Sequence, residues 1–209
     1  MRYTSLSMRE VSAALHDVAE DAWNTFRGLD EHQLNWQPDA MRWSIAQCFD
    51  HLVRANGLLL DAARAALANP PSTVWQRLPL WPTAFGWMLI RSQSPEASNR
   101  KFTAPARARP TSRIAGDIIR RFVDQHHEAE VWARELDERA ASRAVMISPF
   151  MKVVTYSVLD GLRLLVAHDR RHFEQARRVM LSPAFARATA HATSEERATL
   201  VRGGGPRDS

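Results

Sequence analysis

One cysteine, Cys48, stands alone among 209 residues, so no disulfide framework exists. A lone thiol fits a reducing compartment better than a secreted scaffold. Lysine is almost missing too. Only Lys101 and Lys152 accompany 26 arginines, a bias that reflects genome composition more than a binding role. No run approaches the roughly 20 apolar residues of a membrane span, because Pro79 and Pro82 cut the best stretch, Val74 to Ile90. The N-terminus, Met1-Arg2-Tyr3-Thr4-Ser5-Leu6-Ser7, lacks the apolar core of a signal peptide. These absences predict a cytoplasmic protein with no membrane partner. A phosphate-cradling glycine loop and a nucleophile elbow are absent as well. So is H-E-x-x-H, since Asp169 stands where that motif has Glu, which removes the zincin protease reading.

What is present is helical. Hydrophobic residues make up 45% of the chain and charged residues 24%, which are ordinary globular proportions. Ser7 and Glu10 have capping-box spacing, and Val11, Leu15, Val18, Ala22, Phe26 and Leu29 follow at 3-and-4 spacing until Gly28 closes the helix. Ser44 and Gln47 open a second helix, with Ile45, Cys48, Leu52, Ala55, Leu59, Ala62 and Ala66 on its apolar face and Asn69-Pro70-Pro71 at its end. A third is expected from about Thr111 to Ala140, and a fourth from Thr155–Ser157 to Leu181. No alternating strand is evident. Between the second and third helices, Pro70 to Pro110 holds seven of the eleven prolines. A short helix is expected there over Thr83 to Arg91, and irregular loop elsewhere. The predicted fold is an all-α four-helix bundle over residues 1–182, with a long crossover between helices two and three and a poorly structured tail, 183–209.

The net charge is +5, and one segment accounts for it. Between Glu96 and Arg121 lie seven basic residues and two acidic ones. With little aromatic interleaving, a solvated loop is favoured over a nucleic-acid footprint.

Two of the eight histidines carry the chemistry. His168 and His172 lie four apart on the fourth helix, so they are only about 40° apart around it and share its inward face with Gly161, Leu164, Leu165, Gln175, Ala176 and Val179. Inward imidazoles must be desolvated or given a partner, and two at this spacing can share a metal ion. His51 faces inward on the second helix and is the third candidate. Three imidazoles leave one position of a tetrahedral ion open for water or substrate. Ordinary buried histidines remain the competing reading.

The segments Leu34-Asn35-Trp36-Gln37-Pro38, Trp43-Ser44-Ile45, Asp50-His51-Leu52 and His168-Asp169-Arg170-Arg171-His172-Phe173-Glu174-Gln175 resemble the DinB-like superfamily, which includes the YfiT-like proteins and thiol-dependent S-transferases and isomerases. The likeness spans about residues 8–182. It implies an up-down-down-up bundle, often a homodimer, with one divalent metal, zinc or nickel, held by His51, His168 and His172. It also implies a small-molecule substrate, possibly a low-molecular-weight thiol. Around these positions, Asp169 either steadies a ligand imidazole or pairs with an arginine, the latter being preferred. Trp43 and Trp36 are expected to cap the bundle rather than stack on a ligand. Cys48, one turn before His51, is a minor ligand candidate, and Gln125 and His126 either line the pocket or make boundary hydrogen bonds. No catalytic acid or base can be assigned. The sequence reads as a metal-dependent enzyme that activates water or a thiol, a hydrolase or thiol S-transferase. The alternative is a non-enzymatic metal-binding module whose basic surface meets nucleic acid or a protein partner.

Overall fold

Three capping boxes start the first three helices. Ser7 and Glu10 each bond the other's backbone ahead of α1 (Met8–Phe26). Asp30 and Gln33 do so for α2 (Glu31–Asn35), and Ser44 and Gln47 for α3 (Ile45–Ala68). The computed structural model describes residues 3–69, 81–93, 105–151 and 153–190. Beyond α3 come α4 (Trp81–Gln93), α5 (Ile118–Glu135), α6 (Glu138–Arg143) and α7 (Val158–Met180), the last capped by Ser157.

The third predicted helix is shorter than its hydrophobic period suggests, and it is divided. Ahead of α5, the Thr111 amide donates to Asp50 and the Ile114 amide to Asn35, both at 3.0 Å. Side chains capture those backbone groups before a helix can. At the other end Leu136 is extended and Asp137 caps α6 instead. A small antiparallel ribbon also appears, β1 (Val145–Ile147) against β2 (Thr155–Ser157), with Met146 opposite Tyr156. Three residues per strand are too few for an alternating pattern to register. Residues 183–190, inside the expected tail, are helical. There Phe185 is buried and meets Trp36 edge-on at 5.5 Å. The rest of that tail (191–209, with His191) and the crossover segments 70–80 and 94–104 lie outside the described residues.

Helix α1 packs on α5 and α7, and α3 packs on the same two. Cross-helix pairs give the directions. Leu6, just before α1, accepts from Arg163 at 2.7 Å, while Asp21, farther along α1, pairs with Arg170; α1 and α7 are therefore parallel. Ser12 near the start of α1 meets Glu130 near the end of α5, so these two run oppositely. On α3, Phe49 touches Phe122, and Arg64 lies over Trp132, which makes α3 parallel to α5. His51 faces His168 while Trp43 faces His172, so α3 opposes α7. The bundle is up-down-down-up. Two consecutive parallel rods of this kind oblige the chain to travel back roughly the 36 Å length of α3, which accounts for the long crossover.

Two apolar clusters fill the interior. One gathers Leu15, Leu59, Leu60, Ala129, Ala133, Leu162 and Leu165; the other gathers Phe26, Phe49, Leu52, Phe122 and Phe173. Between them, on α3, α5 and α7 respectively, lie the buried polar residues Asn56, His126 and Asp169. Among the described residues no helix is long and apolar enough to cross a membrane.

Candidate metal centre

The capped start of α3 sets the rotation of the second turn, where His51 is buried. On α7 the four-residue spacing brings His168 and His172 to the same side. The three rings meet. Their centroids are 5.0 Å apart for His51 and His168, and 4.7 Å for each of the other pairs. One ring nitrogen from each lies within 4.8 Å of the others, so the three can hold a metal ion.

Hydrogen bonding fixes the state of one ring. His51 Nδ1 lies 2.6 Å from the Ala108 carbonyl oxygen, which only accepts, so Nδ1 carries the hydrogen. In the neutral ring the lone pair is then on Nε2. That atom faces His168 Nε2 at 3.2 Å. Two nitrogens bound to one tetrahedral zinc at 2.0–2.1 Å are themselves about 3.3 Å apart, so the spacing suits a shared cation. His172 supplies a second sign of fit in its Nδ1, which is buried with no hydrogen bond of ordinary geometry, although a contact from Gln175 opposes the lowering of the ring's pKa. An orphaned polar atom of that kind is costly unless something binds it.

All three imidazoles are held neutral. Burial is the main cause in each case, lowering His51, pushing His168 down to about 3 and His172 well below its ordinary value. The neighbouring rings and Arg171 add to the effect on the last two. For His51 the Ala108 bond and the charges of Asp169 and Asp50 oppose the shift. Neutral imidazole is the metal-binding form. The sign of the pH effect follows. Below the unfolded value of about 6.5, the unfolded chain takes up protons that the folded one refuses, so stability falls as pH falls. The loss continues until the folded groups titrate, near pH 3 for His168. The metal-free chain should therefore melt at progressively lower temperatures from about pH 6.5 downward. A melting temperature that stays flat to pH 4.5 would contradict the burial of these rings.

Around the trio the sequence expectations fare unevenly. Trp43 is half-buried and stacks on His172 (5.6 Å, 23°), with its centroid 5.0 Å from His51; it covers the imidazoles as well as the bundle end. Trp36 packs on Phe185 instead. Cys48 is buried in the phenyl-rich cluster, its thiol pushed up to about 12 by burial, and it is not part of the ligand trio. The preferred arginine partner of Asp169 is corrected. Its carboxylate accepts from Asn56 at 2.9 Å and faces His126 Nε2 at 2.8 Å. Gln125 makes the boundary bond, donating to the Val53 carbonyl at 3.0 Å. His126 is buried inside the bundle. His127 and His32 are exposed, and His16 meets Glu130 at 3.2 Å.

Two contributors were not foreseen. The Ala108 carbonyl comes from a turn (Ala106–Ala108) in the crossover, and a backbone acceptor leaves no mark in a sequence. Asn56 did leave one, an amide within an apolar stripe. The turn is anchored nearby by Asp50, which accepts from Arg54 Nε at 2.9 Å and from the Thr111 amide. Of the basic segment, Arg107, Arg109, Arg120 and Arg121 are exposed, the last two on α5, and Arg113 pairs with Glu31; Arg100 and Lys101 lie outside the described residues.

A family model described as DinB superfamily matches residues 14–176. The chain is also similar to an uncharacterized protein, YuaE, of Bacillus subtilis (strain 168), with 23% identity over 161 residues covering 76% of this chain and 90% of that one. No solved structure matches it at a significant level.

Proposed function

The chain belongs to the DinB superfamily, and from that premise we propose that it is a metal-dependent enzyme in which His51, His168 and His172 hold one divalent ion, zinc or nickel. Its substrate is a small molecule, and its reaction is hydrolysis or transfer to a low-molecular-weight thiol. One observation carries the reading above the rest: three neutral imidazoles from two helices converge, and no fourth protein ligand joins them among the described residues. A structural ion normally has four protein ligands, whereas a catalytic one keeps a position open. When bound there, such an ion lowers the pKa of a coordinated water or thiol enough to make a nucleophile at neutral pH.

The chain's own residues do the remaining work. The Ala108 carbonyl holds the His51 proton on Nδ1 and so presents Nε2 inward. Trp43 lies against two of the rings, limiting their rotation and screening them from water. Burial keeps protons off His168 and His172 and thus keeps both available as donors.

The test is metal analysis of the purified chain, followed by assay of the zinc- and nickel-loaded forms against ester or amide hydrolysis and against thiol addition to an electrophile. Stoichiometric metal and turnover in either assay support the proposal. Stoichiometric metal with no turnover, and a fold that collapses when metal is stripped, would make the ion structural instead.

A further inference from the structure

The polar layer between the two apolar clusters serves no purpose in the chemistry above. Asn56, His126 and Asp169 are 2%, 1% and 0% exposed. A carboxylate this deep is unfavourable unless its lone pairs are met. Here they are. Asn56 Nδ2 donates to Asp169 Oδ1, and Oδ2 faces His126 Nε2. His126 Nδ1 lies 2.9 Å from the Phe122 carbonyl and donates to it, so the 2.8 Å contact between Nε2 and Oδ2 holds one further proton shared by the imidazole–carboxylate pair, which closes the set.

Placement gives the set its meaning. Asn56 lies five residues beyond His51 on α3, and Asp169 directly follows His168 on α7. The Asn56–Asp169 bond therefore joins the same two helices that must bring the imidazoles together, close to the level at which they meet. Apolar burial has no direction of its own, so away from the interlocked phenyl rings it would tolerate small slides or turns of α7 against α3. A directional bond would not. Single buried polar residues are well attested as register devices between helices.

We propose that Asn56, through Asp169 and with His126 as the third arm, is a positioning residue that fixes the register of α3 against α7 and so makes the three imidazoles converge. The inference rests on the metal-centre reading above. Its substitutions separate position from charge. In Asp169→Asn the amide oxygen still accepts from Asn56, and the amide nitrogen donates to a neutral His126, so the geometry survives without the carboxylate. Asp169→Ala and Asn56→Ala both break the bond between α3 and α7.

The experiment titrates the metal-free full chain with Co²⁺ alone, reading dissociation constant and visible d–d bands, with melting temperatures taken on the same samples. Asn56→Ala and Asp169→Ala should each weaken cobalt binding by about tenfold or more and alter the bands, while Asp169→Asn stays within about threefold of wild type. The proposal falls if the alanine variants, folded at the assay temperature, bind cobalt with wild-type affinity and spectrum, since the layer then only stabilises. It falls equally if Asp169→Asn loses as much as Asp169→Ala, which would mean that charge rather than position matters. A wild-type chain that takes up no cobalt removes the centre itself, whereas wild-type binding left intact in Asn56→Ala removes only this role.

Discussion

Replacing His168 with alanine is expected to strip the metal from the chain while leaving the empty bundle, at pH 5, at least as stable as wild type. The two effects have separate origins. Zinc sites with four ligands hold their ion by about 10–16 kcal/mol, or roughly 2.5–4 kcal/mol per ligand. Losing one ligand therefore costs on the order of 10² to 10³ in affinity, and dialysed protein should carry little metal. In the metal-free fold, by contrast, the His168 imidazole is a liability, because burial and the adjacent His51 oppose its protonation. With its value near 3, about 1.5 units separate pH 5 from the unfolded value, equivalent to roughly 2 kcal/mol of lost stability. Alanine has no such titration. Calorimetry of the metal-free proteins at pH 5 should find the variant melting no lower than wild type. A variant that retains stoichiometric metal would sink the three-histidine assignment.

The largest loss of stability should come from Phe49→Ala. Phe49 is fully buried and meets Phe26 edge-on at 5.3 Å and Phe122 at 4.9 Å, while Phe26 meets Phe173 at 5.7 Å. These four rings come from α3, α1, α5 and α7, so every long rod of the bundle contributes one. Truncating a buried phenylalanine costs about 3–5 kcal/mol, and two edge-on contacts place this case toward the upper end. Against a total stability of about 5–15 kcal/mol that is a severe loss, and for a chain of this size it lowers the melting temperature by roughly 10–15 °C. Denaturant unfolding with an unchanged m-value would assign the change to the folded core. A cost under about 1 kcal/mol would mean that the rings do not interlock as described.

Much of this was readable in the sequence because it is periodic or local. Capping boxes at Ser7 and Ser44 are four-residue signals, and the inward direction of His51, His168 and His172 follows from helical geometry alone. The up-down-down-up arrangement came from resemblance, and the cross-helix pairs now supply its physical basis. What escaped reading depends on partners distant in the chain. Asp169 is 113 residues from Asn56 and 43 from His126, and nothing in its own neighbourhood distinguishes those partners from an arginine. The end of α5 at Leu136 illustrates a different limit. Its apolar period runs on past the break, and the competing cap at Asp137 decides the matter. The β1–β2 ribbon is simply too short for any pattern to show.

Parallel α3 and α5 have one more consequence. The chain must return along the bundle between them, and on that return it delivers the Ala108 carbonyl to His51. The three imidazoles that can hold a metal are thus carried by rigid rods, while part of their immediate surroundings is written into a connection. Connections accept insertion and exchange far more readily than packed helices do. A scaffold wired this way can be altered from one strip of its sequence, changing what surrounds the three imidazoles while the rings themselves stay where the helices hold them.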